Sequence, residues 1–279
     1  MPIKLIREMP KIVLEAEKVF EIFGIPISNS MIASWVTMLI LIVISILATR
    51  NMKLVPTGLQ NAVELVLEIF YEKVAKARAG EEARLFLPLS ATIFFFILLC
   101  NWLGVLLPGF GSIGLLEHHH GEEVFVPILR SAATDLNTTL ALALFSVLGT
   151  QIYGIKVQGF FRYANRFIRV DKLIGMFRGR SGNPLTAIID LFIGVLEIFD
   201  EFTKLLSFSF RLFGNIFAGE VLLIVIATLF FKIFGTLALI IYPVSMVFVA
   251  LEIFVGFIQA FIFATLTLVF LKMATAHHG

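Results

Sequence analysis

The chain of 279 residues is 59% hydrophobic and only 15% charged, with a mean hydropathy of +0.97, against about 25% charged residues in a typical soluble domain. That excludes a water-soluble fold, because 30 Phe, some adjacent as in Phe94, Phe95 and Phe96, exceed what a core of this size buries without leaving large apolar patches in water. With 22 basic against 20 acidic side chains, a net charge of +2 and one cysteine, Cys100, there is no basic face for nucleic acid, no disulfide framework and no thiolate metal site.

In chain order, residues 1–27 carry Lys4, Arg7, Glu8, Lys11, Glu15, Glu17, Lys18 and Glu21 where a signal peptide needs its apolar core, so they read as an amphipathic segment on the outer membrane surface. The first span is 31–49, 19 uncharged residues behind the helix-start signal Ser28-Asn29-Ser30 and closed by Arg50 and Lys53. Over 56–80, Leu59, Val63, Val66, Leu67 and Phe70 recur at helical spacing between Glu64, Glu68, Glu72, Lys73, Lys76 and Arg78, the pattern of a helix lying along the inner interface. Charge-free spans follow at 85–107 and 136–155. The segment 156–183 holds Lys156, Arg162, Arg166, Arg169, Lys172, Arg178 and Arg180 against Asp171 alone, which places it inside. The acidic loop before the third span, with Glu117, Glu122, Glu123 and one cation, Arg130, then faces outside, as does the N-terminus.

Residues 184–231 are mostly apolar yet carry Asp190, Glu197, Asp200, Glu201, Lys204, Arg211 and Glu220. As one helix this stretch is about 70 Å long at 1.5 Å per residue, more than twice the roughly 30 Å hydrocarbon core, so it must tilt, bend or start outside the membrane. After a turn over 232–243, a final helix at 244–271 contains one charge, Glu252, and ends at Lys272 on the inner side. The expected fold is an all-α integral membrane protein forming a single membrane domain, with five transmembrane helices, one interfacial helix, and the last two helices as a long tilted hairpin.

A charge at the bilayer centre costs about 2.5 to 3.5 kcal/mol on insertion scales, so Glu197, Arg211, Glu220 and Glu252 require a cause. Glu197, Lys204 and Arg211 recur every seven residues and share a face, whereas Glu220 lies nine residues beyond Arg211, about 180° around the helix. By helical rise, Glu197 is about 21 Å to the inner side of Arg211 and Glu220 about 13.5 Å to the outer side. In an antiparallel hairpin, residues at equal height have position numbers of constant sum. Arg211 with Gln259 gives 470 and Glu220 with Glu252 gives 472, so one register turning near Gly235 levels both pairs. Two neighbouring carboxyls in low dielectric do not both ionise easily, which suits a proton relay. An arginine cannot give up its proton and so blocks direct leakage while attracting a passing carboxylate. No carboxyl of this chain is placed to travel past Arg211, which points to a partner subunit.

The run Ser209 to Glu220, SFRLFGNIFAGE, followed by Gln259-Ala260-Phe261-Ile262-Phe263, resembles the signature of subunit a of the F-type ATP synthase. The likeness extends to Ile27-Ser28-Asn29-Ser30, to Pro56-Thr57-Gly58-Leu59-Gln60-Asn61 and to Asp135-Leu136-Asn137-Thr138-Thr139. The resemblance implies the ion-conducting stator of a rotary motor, non-catalytic by itself and without cofactor or metal. Implied partners are a ring of small c subunits with titrating carboxylates, b-type peripheral stalk subunits, the rest of the synthase and membrane lipid. Arg211 matches the residue that separates two half-channels. Asn215, Glu220, Glu252 and Gln259 match the outer half-channel, where some members carry His at the position of Glu252, and Glu197 matches the inner one. Asp135 matches a polar position near the outer path and Lys204 a cationic one. The implied location is the inner membrane of a bacterium, with the C-terminus in the cytoplasm.

His118, His119 and His120 have no further ligands at a recognisable spacing and read as a solvated outer loop; His277 and His278 read as a terminal tail. No phosphate loop, zinc-protease motif or nucleophile elbow occurs. A self-contained secondary transporter with an intramembrane Arg/Glu site is the rival reading, but no internal repeat relates two halves of the chain.

Overall fold

A computed structural model describes residues 18–106, 114–119, 122–127, 130–168, 184–234 and 238–276. Residues 1–17, the basic stretch 169–183, His120, His277 and His278, for which the sequence sets expectations, lie outside them. Strands β1 (Lys18–Ile22) and β2 (Ile25–Ser28) form an antiparallel hairpin, where the sequence suggested an amphipathic surface segment. The reason is local: Phe23 and Gly24 take φ of 50° and 80°, the two-residue turn geometry whose twist matches paired strands, and the strands are rich in β-branched residues.

Helix α1 (Asn29–Thr49) starts at Ser28, whose side chain caps it by accepting from the Met31 amide. α1 is largely exposed, with Trp35, Leu39, Ile42, Ile46 and Leu47 pointing outward, as expected of a peripheral span facing lipid. After Gly58 at φ 62°, α2 (Leu59–Phe70) runs through one π-helical turn, Tyr71–Ala75, into α3 (Lys76–Ala79). Gly80, also at φ 62°, turns the chain into α4 (Ala83–Leu106). A second antiparallel hairpin, β3 (Gly114–His119) with β4 (Glu122–Pro127), occupies the acidic segment, so His118 and His119 belong to a strand and not to an open loop.

Helix α5 (Leu136–Gln158) ends at Gly159, φ 84°, and the short α6 (Phe160–Ile168) follows. Helices α7 (Pro184–Phe234) and α8 (Ala238–Thr275) complete the chain. Helix occupies most of the stretch 232–243 where a turn was expected, α7 running to Phe234 and α8 starting at Ala238, with residues 235–237 outside the described ones; α8 admits Pro243 within its first two turns, where the missing N–H costs a single helical bond.

Among the described residues, five helical stretches are long and apolar enough to cross a membrane, making this an all-α membrane fold. The core lies where α4, α5, α7 and α8 meet, around Phe86, Ile97, Leu212, Phe263 and Leu268. Small residues Ala143, Ala260 and Ala264 are buried there and let backbones approach, and hydroxyl pairs add polar contacts between helices. Thr139 bonds Ser209 at 3.1 Å and Ser146 bonds Thr267 at 2.8 Å. At one end of the bundle, Asn101 and Trp102 of α4 donate to the Gly256 and Ile253 carbonyls of α8 at 3.1 and 3.2 Å. At the other end, Gln158 donates to the Ala274 and Ala276 carbonyls, both at 2.9 Å, and Glu82 accepts from Lys272 at 3.0 Å.

Candidate functional site

Helix α7 is two-faced. Phe208, Ser209, Leu212 and Ile216 are buried, recurring every three or four residues toward the core, whereas Phe199, Phe202, Phe210 and Leu222 are exposed. Arg211 sits at the margin of that outward apolar face, partly exposed. Among the described residues its hydrogen bond is to Ser207, one turn back, at 3.2 Å, with no carboxylate in ion-pair reach. Asn215 is exposed one turn further along, and beside it Gly214 has nothing within 4 Å of where a Cβ would stand. The open margin thus combines an uncompensated guanidinium, an amide and a gap in the side-chain surface.

Glu220 and Glu252 approach each other across the α7–α8 contact. Gly219 leaves the space that the Glu252 carboxyl fills: a Cβ there would overlap its carbon and both oxygens. Glu252 is buried, and its charge is within interaction range of Glu220. This fits the level pairing that helical rise predicts. Gln259, two turns along α8 from Glu252, is also buried, and it makes no hydrogen bond to Arg211, so the arginine–amide pair expected at mid-membrane is not a direct contact.

The sequence reading missed the cation that completes this cluster. Arg130, in the segment leading into α5, places Nε 3.2 Å from each carboxylate oxygen of Glu220 and its guanidinium carbon 5.7 Å from the centre of the Phe217 ring. A signal was present: Arg130 is the one cation in an otherwise acidic loop, at a place where the charge rule for loops predicts none.

Asp135 is buried and caps α5, accepting from the Asn137 amide at 2.9 Å and from Ser30 Oγ at 2.6 Å. It therefore ties α1 to α5 at the rim of a cleft of about 880 Å³ that reaches α7 at Phe213. Toward the other end of α7, Glu197 is half-buried. Lys204 is held by Asp200 at 2.7 Å and Glu201 at 2.9 Å and lies 4.9 Å from the centre of the Phe270 ring. Lys204 has carboxylate partners within the chain, whereas among the described residues Arg211 has none.

Over residues 31–272 the chain matches the family model described as ATP synthase A chain. It belongs to that family: it is the a subunit of the membrane sector of an F-type ATP synthase, a multi-pass, non-catalytic component of ATP synthesis and proton transport.

Proposed function

We propose that this a subunit conducts protons through two offset half-channels that load and unload the carboxylates of a c-subunit ring, with Arg211 separating them. Arg211 carries the reading. A charged residue in a membrane helix faces a partner or a water-filled space, and this one lies on a partly open apolar margin where, among the described residues, its hydrogen bond is to a serine, so the matching anion is assigned to another chain. The outer half-channel comprises Asn215, Glu220, Glu252 and Gln259, with Asp135 at its rim. The inner one comprises Glu197, with Lys204 bordering it. In this reading the N-terminus is outside and the C-terminus in the cytoplasm of a bacterium, 56–80 lies on the inner interface, the basic segment 156–183 faces the cytoplasm, and b-type stalk subunits hold the assembly.

The test is ATP-driven proton pumping by vesicles carrying the assembled synthase with Arg211→Ala. The substitution removes one hydrogen bond at an open position, so assembly persists while coupled pumping is lost. Normal coupled pumping by that variant overturns the proposal.

A further inference from the structure

We propose that Arg130 is a positioning residue that holds the Glu220 carboxylate in an ion pair, so that Glu252 is the member of the carboxyl pair that carries the proton. This rests on the half-channel reading above and divides the labour within it. Arg130 approaches both oxygens of Glu220 equally, with side chains 11% and 29% exposed respectively. In so little water a charge-assisted pair of this geometry is strong, and removing one partner strands the other. Glu252 has no such partner: it is buried in the notch at Gly219, and among the described residues no cation bonds it.

The other groups at this level leave the assignment unchanged. Asp135, at the head of α5, is engaged by Ser30 and the Asn137 amide. Helix α4 contributes neutral Asn101 and Trp102, both spent on α8 carbonyls. Among the described residues, the charged groups between α7, α8 and the segment before α5 include Glu220, Glu252 and Arg130. In each transfer the Glu252 carboxylate takes one proton from the outer water and passes it inward. Glu220 and Arg130 remain paired with each other throughout.

The experiment measures ATP synthesis by the complete synthase in vesicles at a fixed total driving force, as a function of the pH on the Glu220 side. Arg130→Gln removes the cation, so two unneutralised carboxylates draw the proton more strongly. The alkaline limit of activity moves up by about one pH unit or more, beyond any fall in plateau rate. Arg130→Lys keeps the wild-type limit, and Glu220→Gln in the Arg130→Gln background returns the limit toward it. Glu220→Gln alone removes the anionic neighbour of Glu252 and moves the limit down, with transport retained; that variant also serves if Arg130→Gln does not assemble. A limit that stays put in Arg130→Gln, or transport abolished by Glu220→Gln alone, overturns the proposal. Arg211→Ala in the same vesicles separates the two claims, because pumping by that variant would refute the half-channel reading itself.

Discussion

Replacing Gly219 with Ala tests whether the fit between α7 and α8 matters for conduction. A Cβ at 219 would overlap all three heavy atoms of the Glu252 carboxyl, so the carboxyl must retreat by more than about 1 Å to reach ordinary van der Waals contact. The yielding group is the end of a flexible side chain, so the cost to folding stays within the roughly 1–3 kcal/mol typical of overpacking. The functional cost is larger: a misplacement of about 1 Å at a reacting group lowers rates by about 10²-fold. Proton flux through the membrane sector, followed by a pH-sensitive dye in vesicles, should fall by that factor if the Glu252 step limits it. Glu252→Asp in the Gly219→Ala background shortens the acid by one methylene and should recover part of the loss, a coupling that independent sites would not show. Wild-type flux in Gly219→Ala, or a double variant no better than the single one, refutes the reasoning.

Two other outcomes follow from the geometry. A Cβ at Gly214 meets nothing within 4 Å, and Ala is favoured over Gly in a helix by about 1 kcal/mol, so Gly214→Ala should leave the thermal stability of the isolated subunit in detergent unchanged or slightly raised while coupled pumping by the assembled synthase drops sharply; unchanged pumping would mean that no ring helix packs at Gly214. Ser30→Ala removes the donor 2.6 Å from the buried Asp135 carboxylate, which should cost about 1–3 kcal/mol and show as a lower Tm; an unaltered Tm would show that water replaces the serine.

What was legible in the sequence is what helical arithmetic governs. Apolar run length locates the spans, Ser28 announces the first helix, and rise per residue sets Glu220 level with Glu252 before any coordinates are known. What was not legible depends on contacts between segments far apart in sequence. Arg130 lies 90 positions from Glu220, and no periodicity links them. The hairpin at Lys18–Ser28 follows from a two-residue turn with positive φ at Phe23 as well as Gly24, where a phenylalanine gives no warning. The open margin around Arg211 is likewise a property of packing: the pattern places the guanidinium on the helix, but only the neighbours decide that this chain does not cover it.

The four side-chain clasps on α8 have a mechanical meaning. Asn101 and Trp102 hold carbonyls three residues apart at the middle of the helix, and Gln158 and Glu82 hold its C-terminal end. A slip of one residue would turn the helix by about 100° and carry every one of those acceptors away from its donor. The last helix is therefore keyed like a shaft in its housing and cannot swivel to present its polar groups alternately to two compartments. Any switching of access on this helix falls to the torsions of single side chains, Glu252 foremost, moving against a frame that stays still.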